Sequence, residues 1–122
     1  MYETSYHRPS SLAEATQLAT EKGDEAKYLS GGMTLIPTMK QRLAAPEALI
    51  DLRHVGELKG ISVNGRSIRI GGGMTHAEVA TNAEIKSVCP GFSALAGLIG
   101  DPAVRHMGTV GGSVANFDPA AD

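Results

Sequence analysis

The first half of the chain alternates between two spacings of its apolar residues. Short apolar runs over 26–29 and 48–52 have the length of buried strands, and an extended opening over 6–9 precedes them. Between Ser11 and Gly23, apolar residues recur three and four positions apart, which predicts a helix whose buried stripe is Leu12, Ala15, Leu18 and Ala19. A second helix is expected over 35–42. The order strand, helix, strand, helix, strand predicts a βαβαβ unit around a small parallel sheet.

Polar residues mark where these helices begin. Ser11 and Glu14 have the spacing of a capping box, in which a hydroxyl and a carboxylate bind unpaired N–H groups of the first turn. Thr34 can cap the second helix in the same way. Pro37 lies in the first turn of that helix, where a missing N–H costs little.

The second half of the chain has a different character. Apolar and polar residues alternate on both sides of Asn64-Gly65, which predicts a β-hairpin that pairs Ile61 with Ile70 and Val63 with Ile68. Thr75 and Glu78 then form a second capping box. A helix is predicted after Pro90-Gly91 from the spacing of Phe92, Leu95, Ala96 and Ile99. Asp101 caps the start of a short turn that follows. We therefore predict an α+β fold with two subdomains, 1–57 and 58–122.

Composition and charge exclude several classes of protein. Apolar residues make up 42% of the 122 residues, charged residues 20%, and the formal net charge is −2. These values argue against intrinsic disorder and against a nucleic-acid-binding surface, and no apolar run approaches the ~20 residues of a membrane span. The single cysteine, Cys89, excludes an internal disulfide, and the four histidines lack metal-binding spacing. We expect a cytoplasmic globular protein with no metal ion of its own.

Glycine is enriched to 15 of 122 residues, against an average of about 7%. Seven of these glycines form three clusters, at 31–32, 71–73 and 111–112. The first cluster separates a strand from a helix, where successive backbone N–H groups can converge on a phosphate or pyrophosphate. The last is flanked by the hydroxyls of Thr109 and Ser113, and its backbone N–H groups are expected to donate to another part of the same anion. The alternative reading is a plain glycine turn before a capped helix for the first cluster and an isolated bulge or turn for the last.

The first and last clusters resemble the two flavin motifs of a known family. Ser30-Gly31-Gly32-Met33-Thr34-Leu35-Ile36-Pro37-Thr38-Met39-Lys40 is similar to the first motif of the FAD-binding domain of molybdopterin dehydrogenases, and Thr109-Val110-Gly111-Gly112-Ser113-Val114-Ala115-Asn116 is similar to the second. The resemblance is closest to the medium, flavin-carrying chain of aerobic carbon-monoxide-dehydrogenase-type enzymes, in the xanthine dehydrogenase family. It implies an FAD-binding fold of the vanillyl-alcohol-oxidase (PCMH) type, with non-covalent FAD between a βαβ subdomain and an α+β subdomain. Such flavin chains are much longer, so we expect an N-terminal fragment with an incomplete second subdomain.

The resemblance also implies which residues contact FAD. The first motif would line the diphosphate and the second a phosphate and the ribityl chain, and an acidic residue would follow. The implied cofactor-binding residues are Ser30, Gly31, Gly32, Met33, Thr34, Leu35, Thr109, Val110, Gly111, Gly112, Ser113 and Asp122. No catalytic residue is implied, because the flavin carries the redox chemistry. Three departures from the family pattern, at Ser30, His106-Met107 and Phe117, weaken any inference about substrate rather than the FAD assignment.

The function implied by the resemblance is electron transfer in a molybdenum hydroxylase. An iron–sulfur small subunit with [2Fe-2S] clusters and a molybdopterin large subunit are the implied partners, in a dimer of heterotrimers, and the flavin passes electrons to an external acceptor. Two alternatives remain open. One is another FAD oxidoreductase of the same fold, similar to enolpyruvyl-glucosamine reductase, and the other is a non-catalytic docking module that has lost its flavin.

Overall fold

The computed structural model describes residues 3–121. The chain divides into two compact units, Met1–Glu57 and Leu58–Asp122. Within the described residues, no helix is long and apolar enough to cross a membrane.

The first unit is a three-stranded parallel sheet with two helices in its connections. Its elements are β1 (Ser5–His7), α1 (Leu12–Lys22), β2 (Ala26–Leu29), α2 (Leu35–Lys40) and β3 (Ala48–Asp51). The strand order is β1-β3-β2, and β3 pairs in parallel with both neighbours. The predicted βαβαβ unit is therefore confirmed. All four residues of β3 are buried, as expected for the central strand of the sheet.

Helix α1 begins as predicted, but its stripe is less buried than the spacing suggested. The hydroxyl of Ser11 accepts the N–H of Glu14 at 3.1 Å, while the Glu14 carboxylate binds the N–H and hydroxyl of Ser10. Ala15 is the buried residue of the helix, and Leu12 is 36% exposed. The predicted stripe is thus correct for its centre and wrong for its first residue.

Helix α2 is shorter than predicted and starts differently. It ends at Lys40, because Gln41 and Arg42 leave the helical path and Arg42 has φ +60°. Thr34 has helical backbone angles, and its side chain makes no capping hydrogen bond. The prediction of Thr34 as a side-chain cap is therefore wrong.

The second unit is a two-stranded hairpin followed by short helices. Its elements are β4 (Ile61–Asn64), β5 (Ser67–Ile70), α3 (His76–Thr81), α4 (Ala83–Val88), α5 (Pro90–Ala96), α6 (Pro102–Met107) and α7 (Val110–Asn116). The hairpin has the predicted register, with Ile61 opposite Ile70 and Val63 opposite Ile68. Ile61, Ile68 and Ile70 pack against a core formed by Met74, Val79, Ile85 and Ala96.

The predicted helix after Pro90-Gly91 is present as α5, and it buries small residues instead of its larger apolar ones. Phe92 and Leu95 are 37% and 45% exposed, whereas Ser93 and Ala96 are buried. The hydroxyl of Ser93 donates to the carbonyl oxygen of Ala80 at 2.7 Å. Two small residues therefore allow α5 to approach α3 closely, and this contact sets its orientation instead of the larger apolar side chains.

Candidate functional site

The first candidate segment is the loop from Ser30 to Leu35, the part of the first flavin motif that the resemblance assigns to FAD contacts. From here on, "first motif" means these six residues. It joins β2 to α2 and is held at both ends by the core of the first unit, where Leu29, Met39 and Leu49 are buried and Leu35 packs against them. Between these anchors the backbone turns at Gly32, which has φ +77°. A Cβ at Gly32 would lie 3.0 Å from Ile36 Cγ1, so the turn requires glycine for both conformation and space.

Four backbone N–H groups of the first motif, those of residues 31–34, point to no acceptor within the described protein. Among the hydrogen bonds of residues 3–121, none has a backbone N–H of residues 31–34 as its donor. Met33 and Thr34 are exposed, and the hydroxyl of Thr34 is not used as a cap. This loop therefore offers consecutive unpaired donors to a ligand, which suits a phosphate or diphosphate.

The second candidate segment, Thr109 to Ser113, is the start of α7 and is here called the second motif. Thr109 is buried and caps the helix, since its hydroxyl accepts the Gly112 N–H at 3.1 Å. The Val110 N–H donates to the Met74 carbonyl at 3.0 Å, and the Gly111 N–H donates to the Gly72 carbonyl at 2.8 Å. A helix start fixed to residues 72–74 thus replaces the isolated bulge or turn that was the alternative reading of this sequence.

Glycines of the middle cluster explain how the second motif is held. A Cβ at Gly111 would lie 2.7 Å from the carbonyl oxygen of Gly72, and a Cβ at Gly71 would lie 2.3 Å from that of Leu58. Both positions admit only glycine because the neighbouring atoms are backbone. The cluster at 71–73, to which the sequence assigned no role, therefore supplies the backbone against which the second motif packs.

The two motifs differ in what they leave for a ligand. The N–H groups of Gly111, Gly112 and Ser113 all donate within the protein, to the Gly72 carbonyl, the Thr109 hydroxyl and the Thr109 carbonyl. The expectation that this motif offers free backbone donors, as the first does, is not met. Its exposed polar group is the hydroxyl of Ser113.

His76, which the sequence singled out only as one of four histidines, contacts the second motif. Its side chain is 5% exposed, and its Nε2 lies 3.0 Å from the Ser113 hydroxyl oxygen. Burial lowers the pKa of His76, which favours the neutral imidazole. The available sequence signal was the position of His76 inside the Thr75–Glu78 capping box, three residues after the middle glycine cluster.

Of the remaining predicted residues, Asp122 lies outside the described residues, so its place at a site remains a prediction. Ser30 is half-buried at the end of β2, and Val110 packs against the core of the second unit. Residues 3–121 contain no group of three metal-ligating side chains.

The first unit thus carries an open glycine loop whose unpaired N–H groups suit an anion, and the second unit carries a second glycine motif at the start of a helix. The pattern of one protein family, described as FAD binding domain in molybdopterin dehydrogenase, matches residues 2–122. The chain belongs to this family.

Individual relatives agree with this assignment. The carbon monoxide dehydrogenase medium chain of Afipia carboxidovorans is 44% identical over 117 residues, which are 96% of this chain and 41% of that protein. The structure of a carbon monoxide dehydrogenase from Hydrogenophaga pseudoflava matches 99% of this chain and 42% of its own, with a TM-score of 0.97 and 39% identity. Quinoline 2-oxidoreductase from Pseudomonas putida 86 matches 99% of this chain and 42% of its own, with a TM-score of 0.95 and 33% identity.

These comparisons confirm the predicted family and fold class. FAD, the predicted cofactor, is the ligand that the family description names. The chain spans about two fifths of the length of the curated relatives it matches.

Proposed function

We propose that the whole protein binds one FAD non-covalently and serves as the flavin subunit of a molybdenum hydroxylase of the carbon-monoxide-dehydrogenase type. The observation that carries this proposal is the first motif, whose unpaired N–H groups at residues 31–34 fit the oxygen-rich diphosphate of FAD. Family membership supports the same ligand.

In this proposal the two motifs bind FAD by different means. Residues 30–35 would hold the diphosphate through backbone N–H groups and the exposed Thr34 hydroxyl, which makes no capping bond. The second motif would contribute the Ser113 hydroxyl and a backbone surface without side chains at Gly111 and Gly112. Val110 and Thr109 would act by fixing that surface, because one packs into the core and the other caps the helix. Asp122 is proposed as a further contact on the resemblance alone.

Bound FAD supplies the ability to accept electrons from one-electron carriers and to pass them to an external acceptor. The chain's own residues bind and orient the cofactor, and we assign no acid, base or nucleophile among them. Relatives are named medium chains of carbon monoxide dehydrogenase. We therefore propose an iron–sulfur small subunit and a molybdopterin large subunit as partners, in a cytoplasmic dimer of heterotrimers.

The ligand assignment is tested with two threonines that differ in how their hydroxyls are used. Thr34 has its hydroxyl available, whereas the Thr38 hydroxyl donates to the Thr34 carbonyl at 2.7 Å. In the whole protein, Thr34→Val should weaken FAD binding roughly tenfold or more, the value of a hydrogen bond to a charged group, and Thr38→Val should leave it unchanged. Affinity is measured by titrating FAD into the apoprotein and following flavin fluorescence.

Release of the cofactor tests non-covalent binding, and purification of the native complex tests the proposed partner subunits. Acid or heat should free the flavin into the supernatant, and flavin that stays on the precipitated protein would contradict non-covalent binding. Native purification should yield an iron–sulfur and a molybdenum subunit together with this protein. A monomer that reduces its own organic substrate would disprove the assignment to a molybdenum hydroxylase.

A further inference from the structure

The contact between His76 and Ser113 joins a buried imidazole to an exposed hydroxyl. The His76 ring lies beneath the second motif, with Nε2 3.0 Å from the Ser113 hydroxyl oxygen. Two features hold the ring there. The backbone N–H of His76 donates to the Gly108 carbonyl at 3.0 Å, and a Cβ at Gly108 would lie 3.1 Å from the ring carbon Cδ2 of His76. The absence of a side chain at Gly108 thus makes the space that the imidazole fills.

We propose that His76 is a positioning residue for FAD: its Nε2–H donates to the Ser113 hydroxyl oxygen, which directs the hydroxyl proton to an acceptor oxygen of the cofactor. This inference rests on the proposed role of Ser113 in FAD binding. It extends that role to a residue that does not belong to either glycine motif.

The direction of the hydrogen bond between His76 and Ser113 follows from which proton must remain available to donate to FAD. The backbone N–H groups at 111–113 already donate within the protein, so the Ser113 hydroxyl is the donor that the motif presents to solvent. Phosphate oxygens of FAD only accept hydrogen bonds, and a hydroxyl that had given its proton to His76 could not also donate to them. An imidazole that donates through Nε2 leaves that proton for the ligand.

Two variants of similar polarity separate positioning from packing. In His76→Gln the side-chain amide nitrogen reaches about the place of Nε2 and can still donate, whereas in His76→Asn the amide is too short to reach Ser113. In the whole protein we expect His76→Asn to weaken FAD binding roughly 2- to 10-fold, and His76→Gln to retain most of the affinity. Thermal unfolding of each apoprotein shows whether a variant still folds.

A double-mutant cycle with Ser113→Ala tests the coupling. If His76 acts through Ser113, the His76→Asn, Ser113→Ala double variant should bind FAD no more weakly than Ser113→Ala alone. Additive losses, or equal affinities for the Asn and Gln variants, would overturn the role of His76 while leaving Ser113 as a contact. An unchanged affinity in Ser113→Ala would overturn both roles at once, although FAD could still be bound by the first motif.

The imidazole itself gives a readout that does not depend on the variants folding equally well. In the wild-type protein with FAD bound, the ¹⁵N chemical shifts of the His76 ring should be those of the Nε2–H form, with Nδ1 unprotonated. His76→Gln identifies the signal by its loss. An Nδ1–H tautomer would refute the proposed direction of the hydrogen bond.

Discussion

Replacing Gly111 by alanine should destabilise the second unit, because the new methyl group has no space. Its Cβ would lie 2.7 Å from the Gly72 carbonyl oxygen and 3.1 Å from the carbonyl carbon of the same residue. These are backbone atoms, so relief requires α7 to move away from residue 72. The movement would also lengthen the 2.8 Å hydrogen bond between the Gly111 N–H and the Gly72 carbonyl.

Gly91 provides a matched control for the size of this effect. Gly91 and Gly111 each occupy the second position of a seven-residue helix in the same unit, and a Cβ at Gly91 meets nothing within 4 Å. Alanine gains up to about 1 kcal/mol of helix propensity over glycine, and this gain applies to both positions. The difference between Gly91→Ala and Gly111→Ala therefore isolates the contact with Gly72. We expect Gly111→Ala to be less stable than Gly91→Ala by about 1–3 kcal/mol, the usual cost of overpacking.

Amide hydrogen exchange of the whole apoprotein, read on peptides from α3 to α7, reports the opening free energy of this unit without requiring the entire protein to unfold in one step. Gly91→Ala should exchange as slowly as the wild type or more slowly, and Gly111→Ala faster. If the two variants exchange at the same rate, the contact between residues 72 and 111 does not limit the substitution and our account of the middle glycine cluster is wrong.

Three further predictions concern backbone conformation and pH. Gly32→Ala and Gly23→Ala should each lower the stability of the first unit by about 1–2 kcal/mol, because alanine is strained at the positive φ of both positions. Hydrogen exchange of β2 should show the larger loss for Gly32→Ala, because a Cβ at residue 32 meets neighbouring side chains and a Cβ at residue 23 meets nothing within 4 Å. Phe117→Gly should stabilise the second unit by about 1 kcal/mol in the same assay, since Phe117 ends α7 at φ +48° and is 89% exposed; a loss of stability would show that the ring has a partner. Because burial lowers the pKa of His76, the unfolded chain binds more protons than the folded one below pH 6.5, so wild-type stability should fall as the pH drops through and below 6.5. In His76→Gln that part of the pH dependence should vanish, and an unchanged profile would mean that His76 does not contribute to it.

Local signals in the sequence were sufficient for the order of strands and helices in the first unit and for the register of the hairpin. Period-two alternation around Asn64-Gly65 determines which residues face each other, because a slip by one residue would turn every isoleucine to the other face. Capping hydroxyls at Ser11 and Thr75 were equally reliable, because a cap satisfies N–H groups only two or three residues away. In both cases the deciding interactions lie close together in sequence.

Two features of the second unit depend on contacts that the local pattern does not contain. Helical spacing predicts a helix through Phe92 and Leu95, yet both are exposed and α5 is oriented by Ser93, whose hydroxyl bonds to Ala80 on α3. The N–H groups of the second motif were expected to be free because the carbonyl of Gly72 is almost forty positions away in the sequence. Neither contact leaves a periodic signal, and only the packed structure shows it.

Two Gly-Gly pairs that look alike in the sequence thus serve different physical purposes. The pair at 31–32 opens a turn whose N–H groups have no acceptor in the described chain, while Gly111 of the second pair lets α7 approach the backbone at residue 72. Substitution of either Gly32 or Gly111 disturbs packing within its own unit, so loss of FAD from such a variant would not by itself locate the ligand. Removal of an exposed hydroxyl is a cleaner probe of the proposed cofactor site, because it adds no atom that the unit must accommodate. Thr34 and Ser113 are the positions where that removal is informative, because both are exposed and each belongs to one of the two motifs.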